Sequence, residues 1–600
     1  MTFYQVDDLS LSSLRKEWSS YTPDFFKKDS LAALNVALLT IPQAMAYALL
    51  AGLPISCGLV AVIFAAFLAP VFGSSRHLIV GPTNAIAILV QAGVSEVMFT
   101  YYRHLTGAEW DYMAVQILTQ LVLITAAMQL VAAFFQLGRL IQFVSHSVIT
   151  GYVAGTAIAI IVNQLYTMTG LPRQEGVHSL YERTAYLFSH LQQMHIPTTL
   201  IGLGSLGLIV FLKKTDRRIP AGVICFAIAS LVVYAFDLAS YPADPIAVDP
   251  YEEEALPHVM LVGETGGLTG LMPNFSLPYF DTGIMNDLLP MAFALALLSI
   301  IETTSAAKSI AANSGQYLST NQEIFGIGIG NAVSSIVGGL PISGSPLRSA
   351  VNYWSGAQTR FAAMLNSIFT GLLIWIGAEF ITTIPLAALA ALLIVSAMNI
   401  VNGKQFFLCL KATSHDALVL WVTLLSCMFF SIDIAFYIGV VLSIIFYLKK
   451  AAIPQLVEYD MDEQGELINL TYGKTFERKP IRLIKVEGEL FFGSADLFQT
   501  TLKAITEDDR STKVIILQLK NTRDMDATTC LALQQLHDYL KNSGRQLILC
   551  GLTPNLWEVL SDSGIVEATG KENLFLFDER HPQQHMMRAM GRAKQVLALA

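Results

Sequence analysis

The sequence predicts an α-helical polytopic membrane protein of about fourteen transmembrane segments, in two repeats of seven, followed by a small α/β domain. Three observations predict it. Apolar residues make up 54% of the chain and charged residues only 14%, with a mean hydropathy of +0.53, whereas soluble domains average about 25% charged. The apolar excess lies almost entirely before residue 450, in successive runs of membrane-spanning length. After that point the pattern changes to short strand-like runs alternating with amphipathic helices.

Residues 1–29 are mixed polar and read as a cytoplasmic arm, with no signal peptide expected because the first apolar run, from Leu31, continues as a full span. Residues 30–450 read as the membrane domain. Its runs include Val115–Phe135, Val148–Tyr166, Leu200–Leu212, Leu288–Ile301, Phe361–Ile376 and Ala417–Phe430. Two apolar blocks, roughly 30–237 and 287–450, each reach a break at a similar separation from their start. The first break is Gly81-Pro82, and the second is Gly344-Ser345-Pro346. Matched interruptions in two halves are the sequence mark of an inverted-repeat transporter and of its binding site.

The net charge is −9, and its distribution sets the expected orientation. With the N-terminus inside, the inner connections carry Arg76, Arg139, Lys213, Lys214, Arg217, Arg218, Lys308, Arg360, Lys404, Lys411, Lys449 and Lys450. The outer loops then hold Glu109, Asp111, Glu175, Glu182, Asp244, Asp249, Glu252, Glu253, Glu254 and Glu264 against Arg103, Arg173 and Arg183. By the positive-inside rule both termini are cytoplasmic, in a multi-pass protein of the cell membrane.

The breaks concentrate the chemistry. A half-helix that starts inside the bilayer points unpaired N–H groups and its positive dipole end into a cavity, a seat for an anion. Thr83 and Asn84 at the first break, and Ser343, Gly344 and Ser345 at the second, are small groups suited to hydrogen bonding substrate or to capping their own helices. Arg348, on the first turn after the second break, adds fixed positive charge, and could equally be neutralised by Glu302. Gln43, beside Pro42 in the first span, either contacts substrate or marks a packed kink.

Glu302 ends the run Met291–Ile301 and precedes Thr303 and Thr304. A carboxylate at membrane depth is costly and is by default a functional candidate, here for ion coupling. Beside hydroxyls in a partly dry site it could carry a proton. Thr303 and Thr304 would supply oxygens if sodium were the coupling ion instead.

The tail, 451–600, is expected to form strands at Ile481–Val486, Val514–Leu519 and Gln546–Cys550, with helices at Thr529–Leu540 and Asn555–Asp562. No Walker loop or dinucleotide fingerprint appears in it, so no nucleotide-driven pump is indicated. Asp526, Thr528 and Thr529 suit a helix N-cap, and a phosphate on Thr528 would add charge at that helix start. The six cysteines, Cys57, Cys225, Cys409, Cys427, Cys530 and Cys550, have neither disulfide nor zinc spacing. No metal, cofactor, nucleic-acid partner or enzymatic constellation is expected.

Several motifs, in order, resemble the SulP anion transporters. These are Asp29 through Pro42, Gln43 and Tyr47; Ala51 to Pro54; and Gly73 through Arg76, His77, Gly81 and Pro82. The second half continues the likeness with Asn321 to Glu323, Asn331, Gly338 through Ser345, Arg348 to Asn352, and Gly356 to Thr359. The tail is similar to a STAS domain, with Met525 to Thr529 where that domain's phospho-loop falls. The resemblance implies core and gate subdomains and a homodimer that moves a small inorganic anion, most readily sulfate, by elevator-like alternating access. It places substrate between the two half-helices near Gln43, Tyr47 and Glu302, with a protein partner at the STAS domain. Two departures stand out. Leu347 replaces the family's usual serine or threonine before the arginine, and Thr528, preceded by Ala527, replaces the loop's usual serine. At the second break, backbone N–H groups and Arg348 are therefore expected to hold the anion more than serine hydroxyls do.

The reading that follows is a proton-coupled secondary transporter of sulfate. The alternatives are a sodium-coupled bicarbonate or dicarboxylate transporter, a passive anion channel, and a signalling scaffold built on the STAS domain.

Overall fold

A computed structural model describes residues 17–138, 145–171, 180–215, 221–239, 258–264, 281–430, 432–453, 455–461, 467–469, 480–487, 490–507, 511–522 and 525–599. Of the charges used above for orientation, Arg139, Arg173, Glu175, Arg217, Arg218, Asp244, Asp249 and Glu252 to Glu254 lie outside them. The chain divides into two compact units, residues 1–443 and 444–600, and each is described by itself.

In the first unit, seven helices make the first half: α1 (Pro23–Leu50), α2 (Ile55–Phe72), α3 (Asn84–Tyr101), α4 (Gly107–Phe134), α5 (His146–Thr169) and, after the short α6 (Leu180–Ser189), α7 (Ile196–Thr215) and α8 (Ala221–Ala235). The second half repeats the count with α9 (Met285–Ser314), α10 (Thr320–Ile336), α11 (Pro346–Trp354), α12 (Phe361–Thr382) and α13 (Leu386–Ile400). The short α14 (Gly403–Ala412) then leads to α15 (Ser414–Phe429) and α16 (Ile432–Ala451), whose last residues, from Ile444, are counted with the second unit. Among the described residues, ten helices are long and apolar enough to cross a membrane, and α8 and α15 are shorter apolar ones. With α10 and the half-helix α11 the protein is a multi-pass, fourteen-segment inverted repeat. The third segment of each half, α3 or α11, begins at a break.

The breaks are paired with each other. Val80–Gly81 (β1) and Ser343–Gly344 (β2) form a two-residue antiparallel ladder, with Val80 opposite Gly344 and Gly81 opposite Ser343. Backbone groups freed at membrane depth must find partners in protein, and here each break supplies them to the other. Ser345 N–H adds a further bond to the Ile79 carbonyl at 2.9 Å. Around the ladder pack α9, against β2, α3 and α11, and α1, against α3 and α11. α2 contains a π-helical turn, Ala61–Ala65. Its Gly58 lies so close to α1 that a Cβ there would meet the Ala44 carbonyl oxygen at 2.0 Å.

The second unit is a six-stranded sheet in the order β4 (Leu467–Asn469), β3 (Gln455–Met461), β5 (Ile481–Glu487), β6 (Val514–Gln518), β7 (Gln546–Leu552), β8 (Leu574–Leu576). β5 to β8 are parallel, and β3 is antiparallel to both of its neighbours. Such strands must be covered on both faces. One face carries α17 (Phe492–Glu507), α18 (Ala527–Asn542) and α19 (Pro554–Asp562) over a core that includes Phe498, Leu533 and Leu556. The other face is covered by the last helix, Gln584–Leu599, through Met586, Ala589 and Ala593.

Candidate anion site

The site is built where β1 and β2 cross. Thr83 is the N-cap of α3, but its side chain makes no capping bond. Its hydroxyl instead donates to Glu302 Oε2 at 2.9 Å. The first-turn N–H groups of α3, on Asn84, Ala85 and Ile86, are those that any helix start leaves without an intrahelical acceptor. Asn84 is 2% exposed, and both polar atoms of its amide lack a protein partner. Amide and helix start together form a polar, donor-rich end.

The second half-helix is arranged differently. Ser345 Oγ accepts from Arg348 N–H at 3.4 Å, and the Ser345 carbonyl takes Ser349 N–H at 3.0 Å. Pro346 has no N–H. Only Leu347 N–H remains open at that end, so the backbone of the second break offers an anion less than the sequence suggests. Arg348 carries the positive charge there. Its guanidinium is 1% exposed and donates through Nη2 to the Pro82 carbonyl at 2.8 Å, while Nε and Nη1 have no protein acceptor. Gly81 makes this reach possible, since a Cβ at that position would lie 2.7 Å from Arg348 Nη1.

Glu302 sits within α9 rather than at its end, because the helix continues to Ser314. Its Oε2 accepts from Ser343 Oγ at 2.5 Å as well as from Thr83. The sequence reading allows Glu302 to neutralise Arg348 directly. The carboxylate is instead bonded to hydroxyls from both breaks, and the guanidinium turns to a carbonyl. Tyr47, one turn beyond Gln43 on α1, is within electrostatic reach of both charges. Gln43 and Tyr47 are buried to 8% and 7% exposure, on the helix that packs against both half-helices.

The neighbouring threonines have other tasks. Thr303 Oγ1 accepts Gly344 N–H at 2.8 Å and so fixes β2, while Thr304 spends its hydroxyl on the Ile301 carbonyl at 3.2 Å. Tyr47, Thr83, Asn84, Glu302, Thr303, Ser343, Gly344, Ser345 and Arg348 thus occupy one neighbourhood, and Gln43 lies buried one turn before Tyr47 on α1. Thr528 belongs to the second unit, exposed on the first turn of α18, which Asp526 caps.

One supporting residue is marked in the sequence only as part of the family likeness, with no role assigned. Asn331, fully buried on α10, takes Ile342 N–H on Oδ1 at 2.7 Å and donates Nδ2 to the Ile342 carbonyl at 3.2 Å and to Gln129 Oε1 at 2.8 Å. Its amide stands in for a neighbouring strand beside β2. An amide within an apolar helix is the available signal, since such a group must find a partner in the membrane.

A family model described as the sulfate permease family matches residues 26–423, which include every residue of this site. The chain belongs to the sulfate permease family. A model of the STAS domain matches residues 474–576. The probable sulfate transporter 4.2 of Arabidopsis thaliana is 27% identical over 92% of this chain and 80% of its own length. The putative sulfate transporter YvdB of Bacillus subtilis (strain 168) is 24% identical over 93% and 97%. Among solved structures, the murine Solute Carrier 26 family member A9 anion transporter in its inward-facing state superposes with a TM-score of 0.84, at 20% identity over 97% of this chain and 94% of that one. Leu347, where the family resemblance leads one to expect a hydroxyl, is half exposed at the open end of α11, so its backbone rather than its side chain provides polarity there.

Proposed function

We propose that the protein is a proton-coupled secondary active transporter of sulfate, located in the cell membrane with both termini cytoplasmic. The observation that carries this reading is the convergence of the open N-terminus of α3, two unspent donors of Arg348 and the Glu302 carboxylate on one junction. A tetrahedral oxyanion can take N–H bonds from the helix start and charge-assisted bonds from the guanidinium. Glu302, tied to both breaks, is placed to exchange a proton while the anion is bound. Its two hydroxyl partners lie on opposite breaks, so its protonation state can be linked to the registry of the half-helices. The names of the curated relatives favour sulfate over bicarbonate as the substrate.

The transport unit is taken as residues 30–450, with repeats of about 30–237 and 287–450, working as a homodimer by an elevator-like movement. The STAS unit is a docking place for a cytoplasmic partner, with Thr528 as its phosphorylatable position. Uptake of labelled sulfate into vesicles containing the purified protein tests the reading. An inward proton gradient without sodium should drive accumulation. Accumulation that requires sodium, or fluxes that follow voltage at channel rates, would replace it with the symporter or channel alternative.

A further inference from the structure

The cytoplasmic arm is tied to both breaks by buried charged groups that the transport reading leaves without a role. Arg360, at the start of α12 just after the second half-helix, is 1% exposed. Its Nη1 donates to the Gly73 carbonyl at 2.6 Å, and Gly73 ends α2 just before the first break. One guanidinium therefore joins the segment leaving the second break to the segment entering the first. Its Nε donates to Glu17 Oε2 at 2.9 Å, and Glu17 Oε1 lies 3.3 Å from Arg76 Nε.

A second carboxylate works alongside. Asp29, fully buried on α1, accepts from Gln358 N–H at 2.7 Å and from the Thr359 hydroxyl at 2.6 Å. The aromatic rings of Trp18 and Tyr21 pack on Phe361 at 5.5 and 4.7 Å. Burying a guanidinium costs less when a hydrogen-bonded counter-charge accompanies it, and Glu17 brings that charge to Arg360 from outside the membrane helices.

We propose that Glu17 and Arg360 are positioning residues for the anion site. The arm's carboxylate holds the guanidinium that links the two break-flanking segments, and so sets the spacing of the α3 and α11 N-termini. This rests on the anion-transport reading for its effect on uptake, but not for its effect on geometry. Donors misplaced by about 1 Å lose much of their grip on a substrate. Losing the clasp should therefore weaken anion binding more than it slows turnover.

The test compares wild-type full-length protein with E17D, E17Q, R360Q and E17Q/R360Q, all reconstituted in vesicles, reading KM and Vmax for sulfate. It adds the distance distribution between spin labels at Thr100→Cys on α3 and Trp354→Cys on α11. Glu17→Gln should raise KM about tenfold with Vmax little changed, Glu17→Asp should fall between it and wild type, and Arg360→Gln should add nothing once Glu17→Gln is present. The label distribution should broaden or shift in Glu17→Gln. An unchanged KM and distribution, or a fall in Vmax alone, overturns the proposal, as do effects that multiply in the double variant. If Arg360→Gln does not fold, the Glu17 series decides alone. If the wild type takes up no sulfate, the transport reading fails, and the label distances still decide whether the clasp sets the spacing.

Discussion

The Arg348 guanidinium donates to the Pro82 carbonyl across 2.8 Å, so a side chain of the second break satisfies the backbone of the first. This bond leaves Nε and Nη1 as charged donors in a buried place. Burying such a group without acceptors is costly, and an arriving oxyanion would remove that cost.

Replacing Arg348 by Gln should therefore raise the sulfate KM tenfold or more. A hydrogen bond to a charged group is worth about 1.5–3 kcal/mol. Arg348→Lys should lie between Gln and wild type, because it restores the charge but not the fork that reaches Pro82 and the site together. Initial uptake rates over a range of sulfate concentrations measure this. Equal KM values for wild type and the Gln variant would remove Arg348 from the site.

Glu302→Gln should separate binding from coupling. A glutamine keeps an oxygen that can accept from Thr83 and Ser343, so the junction between the breaks should survive. It carries no exchangeable charge. Exchange of labelled for unlabelled sulfate should persist within about a factor of three of wild type, while accumulation driven by a proton gradient should vanish. Parallel exchange and gradient-driven assays on the same vesicles check it.

Gly81→Ala should reproduce much of the arginine defect without touching a charged residue. The new Cβ would lie 2.7 Å from Nη1 and 3.0 Å from Nη2 of Arg348, which must shift and give up its bond to Pro82. We expect sulfate KM to rise about tenfold, on the scale of one lost charge-assisted bond. Gly204→Ala, which meets no atom within 4 Å, should leave uptake unchanged and serves as the control.

The sequence and the structure agree where the signal is local. Gly81-Pro82 and Ser345-Pro346 announce two interruptions because proline and glycine act on their own backbone, and both interruptions are present. Glu302 is visible because a carboxylate in an apolar run is unusual by itself. Pairings across the chain are less legible. Nothing near Ser343 or Thr83 indicates that their hydroxyls meet on one carboxylate oxygen, or that Asn331 flanks Ile342 like a strand. Arg360 and Asp29 read as an interfacial charge and the start of a motif, because their partners are hundreds of positions away. The tail strands β5, β6 and β7 are readable as short apolar runs, whereas β3, β4 and β8 are not. β4 and β8, three residues each at the edges of the sheet, depend on the ladder beside them, while β3 mixes Glu458 and Asp460 into its apolar residues.

The cap of α18 supplies a prediction independent of transport. Asp526 accepts from Thr529 N–H and from the Thr529 hydroxyl, both at 2.8 Å, and from Phe492 N–H at 2.6 Å. Burial works against its charge, but these hydrogen bonds prevail and hold the carboxyl below its ordinary value. Because the folded form binds the proton less readily than the unfolded chain, the stabilisation is fully present above about pH 4. It fades as pH falls through the lowered folded value. Asp526→Ala should remove it, at a cost near ~1 kcal/mol typical of a lost N-cap. Amide hydrogen exchange on the full-length protein at pH 7 should show protection falling at the start of α18 and at Phe492 together, since one carboxylate bonds both. If protection fell at Thr529 but held at Phe492, the carboxylate would not be what joins the start of α17 to the cap of α18.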